Sequence, residues 1–192
     1  MTTNFGNLSL DHALHRVFDT LERAASGSSH GFRLPCLATV DKDNAPRVRT
    51  VVLRHFFPEK RQCVVYTDKR SQKVEQIRHN DRAELCFWDR NESLQVRCQC
   101  QIELCDYNGF FDKTGHRPIL GDGRDYSTLW PPGRSIDTED VQHSADPQQN
   151  FCALICQIEE LEWLYLSRKN IRARYSWDKD GQKQPRQSYL VP

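Results

Sequence analysis

The chain has almost no surplus charge: 27 Lys and Arg against 26 Asp and Glu leave a formal +1 over 192 residues. That balance excludes the global positive field of a general nucleic-acid or anionic-membrane binder. Any phosphate site must therefore rest on a few placed basic side chains. No apolar run approaches the roughly 20 residues that a membrane-spanning helix needs. The opening MTTNFGNLSLDHALHRVFD lacks a basic segment followed by an apolar one, so no signal peptide is expected and a cytoplasmic location is. There is no CxxC pair and the seven histidines are scattered, which argues against a zinc site. Nucleophilic hydrolysis finds no support either: GxSxG, a placeable Cys–His pairing and informatively spaced carboxylates are all missing. Repeats and low-complexity tracts are absent too.

Eight cysteines are present. Cys36, Cys63, Cys86, Cys152 and Cys156 each sit within an apolar run, the setting of a small buried hydrophobe and not of a loop disulfide. Leu10, Leu14, Val17, Phe18 and Leu21 recur at helical spacing behind a candidate N-cap, Ser9, and Gly27 closes that helix. Strand-like runs follow at 34–40, 47–56, 62–67, 83–88, 93–104, 151–166, 172–177 and 187–191. One short helix, 71–79, interrupts them. Many short β-rich runs between turn residues predict a mainly β chain with peripheral helices, its antiparallel sheet closed into a barrel. The stretch from Asp106 to Asn150 has weak periodicity and reads as a long functional loop holding some short helix. The acidic run Glu159–Glu162 reads as a solvated turn or edge.

The chemistry concentrates in three places. In RTVVLR, 49–54, strand alternation puts Arg49, Val51 and Leu53 on one face and Thr50, Val52 and Arg54 on the other, a cation on each. On its own this fits an edge strand with solvated arginines. The strand VVYT, 64–67, then leads through a four-residue turn to a helix whose first turn holds Gln72 and Lys73. A helix N-terminus offers free N–H groups and a positive dipole end. Lysine is disfavoured there unless an anion binds beside it, so Arg49, Lys73 and the helix end together suit a phosphomonoester. Third, Gln95 carries an amide that can both donate and accept.

RTVVLR, VYT, SQK with a downstream I-x-x-N, LQV and IEL stand in the order and spacing of pyridoxamine 5′-phosphate oxidase-like FMN proteins, which the chain resembles over nearly its whole length. LATVD with AP before RVRTVVLR, WPPG, and IRARYSWDKDGQ ending in YLVP add to the likeness, closest to the shorter FMN-binding branch. The resemblance implies one FMN-binding split β-barrel domain over 1–192, with a 106–150 insertion and a C-terminal hairpin region over 160–192. It implies FMN held at the interface of a homodimer: Arg49 and Lys73 on the phosphate with Ser71 and Gln72 nearby, the backbone of Thr50, Val51 and Val52 along the ring edge, Tyr66 and Thr67 on the ribityl path, and Gln95 and Arg174 at the ring. Arg54 and Arg172 would meet a small, anionic substrate, with Arg117 joining them if that substrate were a vitamin B6 phosphate. The implied activity is an FMN-dependent oxidoreductase; the alternatives are true pyridoxamine/pyridoxine 5′-phosphate oxidation, or flavin, deazaflavin or haem binding without turnover. The family's C-terminal Arg-x-His is replaced here by Asn170 and Arg172, no Ser-Gln follows Arg117-Pro118, and Gln72 stands for the arginine of SRK.

Overall fold

Helix α1, Leu10–Ser26, buries the stripe Ala13, Val17, Leu21 and Ala24. The Ser9 hydroxyl accepts the His12 N–H at its start, and Gly27 donates its N–H to the Arg23 carbonyl at its end. The computed structural model describes residues 5–27, 29–120, 124–144, 146–178 and 184–192. The strands there are β1 (Cys36–Val40), β2 (Pro46–Thr50), β3 (Leu53–Phe57), β4 (Gln62–Asp68), β5 (Arg82–Asp89), β6 (Leu94–Cys105), β7 (Phe151–Tyr165), β8 (Ile171–Ser176) and β9 (Arg186–Leu190). Two more helices, α2 (Gln72–His79) and α3 (Tyr107–Thr114), lie between them. No helix among the described residues is long and apolar enough to cross a membrane.

All pairings are antiparallel, in the order β2-β1-β5-β6-β7-β4-β3. β2 and β3 are thus opposite ends of the hydrogen-bonded path, yet only Val51 and Val52 separate them. So few residues span roughly 10 Å at most. The sheet must curl until its two edges meet, and this short tie makes it a split barrel. β7 is the hub: residues 151–157 pair with β4, residues 160–165 pair with β8, and β6 runs along its length. Opposite Gln99/Cys100 the register shifts because β7 carries one extra residue, Glu159, and β7 bends there.

Alternation sorts the barrel wall. Leu37, Leu85, Phe87, Leu94, Val96, Cys98 and Leu161 face a core shared with α1 and α2. A second cluster, Val64, Tyr66, Phe110, Phe151 and Ile155, lies on the other side of β4 and β7 under α3.

Three expectations change. The run 47–56 is two strands: the β1–β2 register runs out where Val51 gives its N–H to the Pro35 carbonyl opposite (2.9 Å), since proline has no N–H to return the bond. Glu159–Glu162 is no turn: it lies within β7, and Glu162 is buried because Arg97 and Arg172 both reach it, at 3.0 and 2.9 Å. Cys36 is exposed, while Cys63, Cys152 and Cys156 are buried and Cys86 is intermediate. Over 160–192 the end of β7, β8 and β9 pair in series, each antiparallel to the one before.

Candidate functional site

The turn from β4 into α2 builds a pocket of hydroxyls and cations. Ser71 is the N-cap of α2 but makes no side-chain cap bond; its hydroxyl lies 3.3 Å from that of Thr67. Lys73, in the first turn, donates from Nζ to Thr67 Oγ1 at 2.9 Å. Arg49 enters from β2 and donates to Thr39 Oγ1 (2.6 Å), Gln76 Oε1 (2.7 Å) and the Leu37 carbonyl (3.2 Å). Thr39 also donates to Gln76 Oε1, at 2.7 Å, so β1, β2 and α2 are tied at one point. Val74 and Ile77 bury the face of α2 that holds it on the barrel.

Every partner of Arg49 and Lys73 is neutral, and among the described residues neither forms an ion pair. Burial lowers the pKa of both, with Arg49 adding to the effect on Lys73 and Arg47 to that on Arg49. Two partly desolvated cations, neither in an ion pair among the described residues though Asp68 lies near enough to favour the charge on Lys73, form with two hydroxyls and a helix N-terminus a donor set that fits a phosphate dianion. Gln72 starts the helix and is exposed.

Tyr66 points the other way. Its hydroxyl hydrogen-bonds His55 Nε2 at 2.7 Å, its ring packs on Phe110 and Phe151, and the Arg54 guanidinium lies 5.9 Å from the ring centre. Burial, first of all, pushes the Tyr66 hydroxyl pKa up. Arg54 also comes within 3.8 Å of Asp125. The side chain of Tyr66 therefore joins Arg54 and not the Lys73 pocket. Arg117 is exposed and lies over the Phe111 ring, 5.2 Å from its centre.

Gln95, Arg172 and Arg174 lie on the outer face of the sheet. The register Thr50↔Cys36↔Cys86↔Arg97↔Glu162↔Arg174 places Thr50 and Arg174 in one row. Five strand spacings separate them, roughly 24 Å at about 4.8 Å each. Gln95 stands in the next row of the same face, beside Trp88 and Leu164. One chain thus brings Arg49, Thr67, Ser71 and Lys73 together and holds Gln95, Arg172 and Arg174 apart from them. Arg172 is bound to Glu162, and Arg174 lies 3.4 Å from Glu160.

Sequence reasoning missed Thr39 and Gln76, both buried. The available signal was slight: a polar residue beside the apolar stripe Val74/Ile77, and a threonine in an apolar strand.

A family model described as the pyridoxamine 5′-phosphate oxidase FMN-binding domain matches residues 15–106. That span contains the whole Arg49–Lys73 pocket and Gln95; Arg172 and Arg174 lie beyond it. Pyridoxine/pyridoxamine 5′-phosphate oxidase 2 of Arabidopsis thaliana is 34% identical over 149 residues, 68% of this chain and 72% of that protein. The oxidase of Anaeromyxobacter dehalogenans is 38% identical over 85 residues, 44% of this chain and 41% of that protein, so the match spans less than half of this relative. Among solved structures, a pyridoxamine 5′-phosphate oxidase-related FMN-binding protein from Nostoc punctiforme superposes with TM-score 0.74 at 25% identity, over 97% of this chain and 99% of that one. PhzG from Burkholderia lata, 14% identical with TM-score 0.70 over 97% and 94% of the two chains, shares the fold. With its pocket suited to a phosphate, its split barrel and these likenesses in sequence and structure, the chain belongs to the pyridoxamine 5′-phosphate oxidase family and carries that family's FMN-binding domain.

Proposed function

We propose that this protein is a cytoplasmic, homodimeric FMN-dependent oxidoreductase in which the whole chain forms one FMN-binding unit. The observation that carries the reading is the pair of partly buried cations, Arg49 and Lys73, whose hydrogen-bond partners among the described residues are all neutral. They would grip the FMN phosphate, with Thr67, Ser71 and Gln72 around it. The backbone of Thr50, Val51 and Val52 would follow the ring edge; the Val51 N–H is already engaged by Pro35. Tyr66 would support the ribityl path from the far side of β4. Bound FMN supplies the hydride-accepting centre, and the protein's part is to bind, orient and exclude water.

The separation of the two groups of residues supports the homodimer. Gln95 and Arg174 are remote from the Arg49–Lys73 pocket along the outer face, so a second copy packed there would deliver them to the ring. Arg54 is half-buried at the rim of the α3 cluster and is the cation best placed for an anionic small-molecule substrate; Arg172 has Glu162 as its counter-ion and would act with it. Oxidation of pyridoxamine or pyridoxine 5′-phosphate is a second reading, supported by the identity to the plant oxidase.

The test is the absorbance spectrum of the purified protein before and after adding FMN and removing the excess. Retained flavin bands that bleach anaerobically with a substrate support the oxidoreductase; bleaching by pyridoxamine phosphate selects the second reading. Retained flavin that no nicotinamide or amine donor reduces means binding without turnover. A colourless protein that retains no FMN overturns the reading.

A further inference from the structure

The turn that precedes the phosphate pocket is clamped by a carboxylate–guanidinium fork. Asp68, whose side chain is 4% exposed, accepts the Arg70 backbone N–H at 2.8 Å. It also takes the guanidinium in two bonds, Nε to Oδ1 at 3.0 Å and Nη2 to Oδ2 at 2.6 Å. A bidentate fork fixes the plane of the guanidinium. Its remaining donors then reach another part of the chain: Nη2 to the Thr128 carbonyl at 2.8 Å and Nη1 to the Leu129 carbonyl at 3.0 Å.

Those two carbonyls belong to a small hairpin over 127–144. Thr128 and His143 form an antiparallel bridge, the Leu129 N–H bonds the Gln142 carbonyl at 2.9 Å, and the Ser144 N–H bonds the Ser127 carbonyl at 2.6 Å. Ser127 Oγ and His143 Nδ1, 2.7 Å apart, add a side-chain tie. The tip is exposed, with the Arg134 guanidinium 3.8 Å from the centre of the Trp130 ring. At its base the hairpin depends on Arg70, and Arg70 immediately precedes Ser71.

We propose that Asp68 and Arg70 are positioning residues of the phosphate pocket, and that through them docking of the 127–144 hairpin is coupled to phosphate occupancy. The inference rests on the FMN reading above. α2 has eight residues, too few to hold its own first turn by helix propagation, so the preceding turn sets where Ser71 and Lys73 stand. Asp68 neutralises Arg70, so Arg70 acts on a bound phosphate by placing the turn and not by its charge. Coupling is reciprocal: if hairpin docking steadies the pocket, an occupied pocket steadies the docked hairpin by the same factor.

The experiment compares wild type, Arg70→Ala, Lys73→Ala and the double variant as apo-proteins, by FMN fluorescence titration and by limited trypsin cleavage at Arg134, on the exposed tip of the hairpin. Arg70→Ala is expected to weaken FMN about tenfold, the scale of one lost charge-assisted bond. The double variant should bind within about twofold of Lys73→Ala, because both act on one contact. Cleavage should be faster in Arg70→Ala, and FMN should slow it in wild type but not in the variant. Wild-type affinity in Arg70→Ala, losses that multiply in the double variant, or cleavage indifferent to FMN would each overturn the coupling. If Arg70→Ala does not fold, Arg70→Gln, which keeps a side-chain donor and removes the fork, is put through the same measurements with the same outcomes. A wild type without FMN affinity would sink the FMN reading and the coupling together; an intact wild-type affinity with an indifferent Arg70→Ala sinks the coupling alone.

Discussion

Arg49 and Lys73 are two cations with the same partner chemistry and different anchors. Arg49 is spread over three neutral acceptors, whereas Lys73 has only Thr67 among the hydrogen bonds described. Replacing either by alanine should weaken FMN by about 1.5–3 kcal/mol, the worth of a hydrogen bond to a charged group, and a fluorescence titration reads this as a 10- to 100-fold rise in Kd. Gln76 makes a different prediction. Gln76→Leu keeps the volume but takes the acceptor from both Arg49 and Thr39, so FMN affinity should fall while Glu75→Ala, on the exposed side of the same helix, leaves it unchanged in the same titration. His55 reports on pH. Burial first, then His116, Arg33 and Arg54, lower its pKa below the ordinary 6.5. The unfolded chain therefore takes up this proton first as pH falls, so the His55 contribution to stability is whole above about pH 6.5 and is lost below it. His55→Gln should show a shallower loss of Tm than wild type between neutral and mildly acidic pH. At this scale Arg49 and Lys73 were legible because each sits in a locally unfavourable place, a cation in an apolar strand and a lysine in a first helical turn. Thr39 and Gln76 were not, because a buried polar residue is distinguished from a surface one only by the partners folding brings to it.

At the scale of elements, α2 matters as a carrier. Val74 and Ile77 are 0% and 2% exposed and hold its face on the barrel. Ile77→Ala should cost about 2–4 kcal/mol in urea unfolding, the range for a buried isoleucine truncated to a cavity. If the carrier role is right, FMN affinity should fall too, although Ile77 touches none of the donors described. The α1 stripe and the strand runs were readable from period alone, since each buries one face. The break at Val51–Val52 was not, because both are strong strand formers and only the fold sets Pro35, which has no N–H to return the bond, opposite Val51. Glu159–Glu162 misled for a related reason. Acidic runs belong in water unless a distant element supplies cations, and here β6 and β8 supply Arg97 and Arg172 to Glu162.

At the scale of the molecule, the outer sheet face is the surface that the proposed dimer would cover. Val48 is 65% exposed and Trp88 44% exposed on the face that also carries Gln95 and Arg174. Light scattering on the native protein should give twice 22.5 kDa. Val48→Glu should shift it toward monomer and reduce FMN retention together, while a monomeric wild type that binds FMN fully would remove the shared-site arrangement. The sequence by itself determined the antiparallel β class, the capped first helix and the unusual placement of Arg49 and Lys73, because period, caps and misplaced charges are local properties. Only the tertiary structure decided that β2 and β3 close the barrel as opposite edges, that Tyr66 turns away from Lys73 while Gln76 turns toward Arg49, and that Arg70 clasps a hairpin almost sixty residues away. Each of these depends on which distant segment a curled sheet places beside a side chain, and no local pattern carries that information.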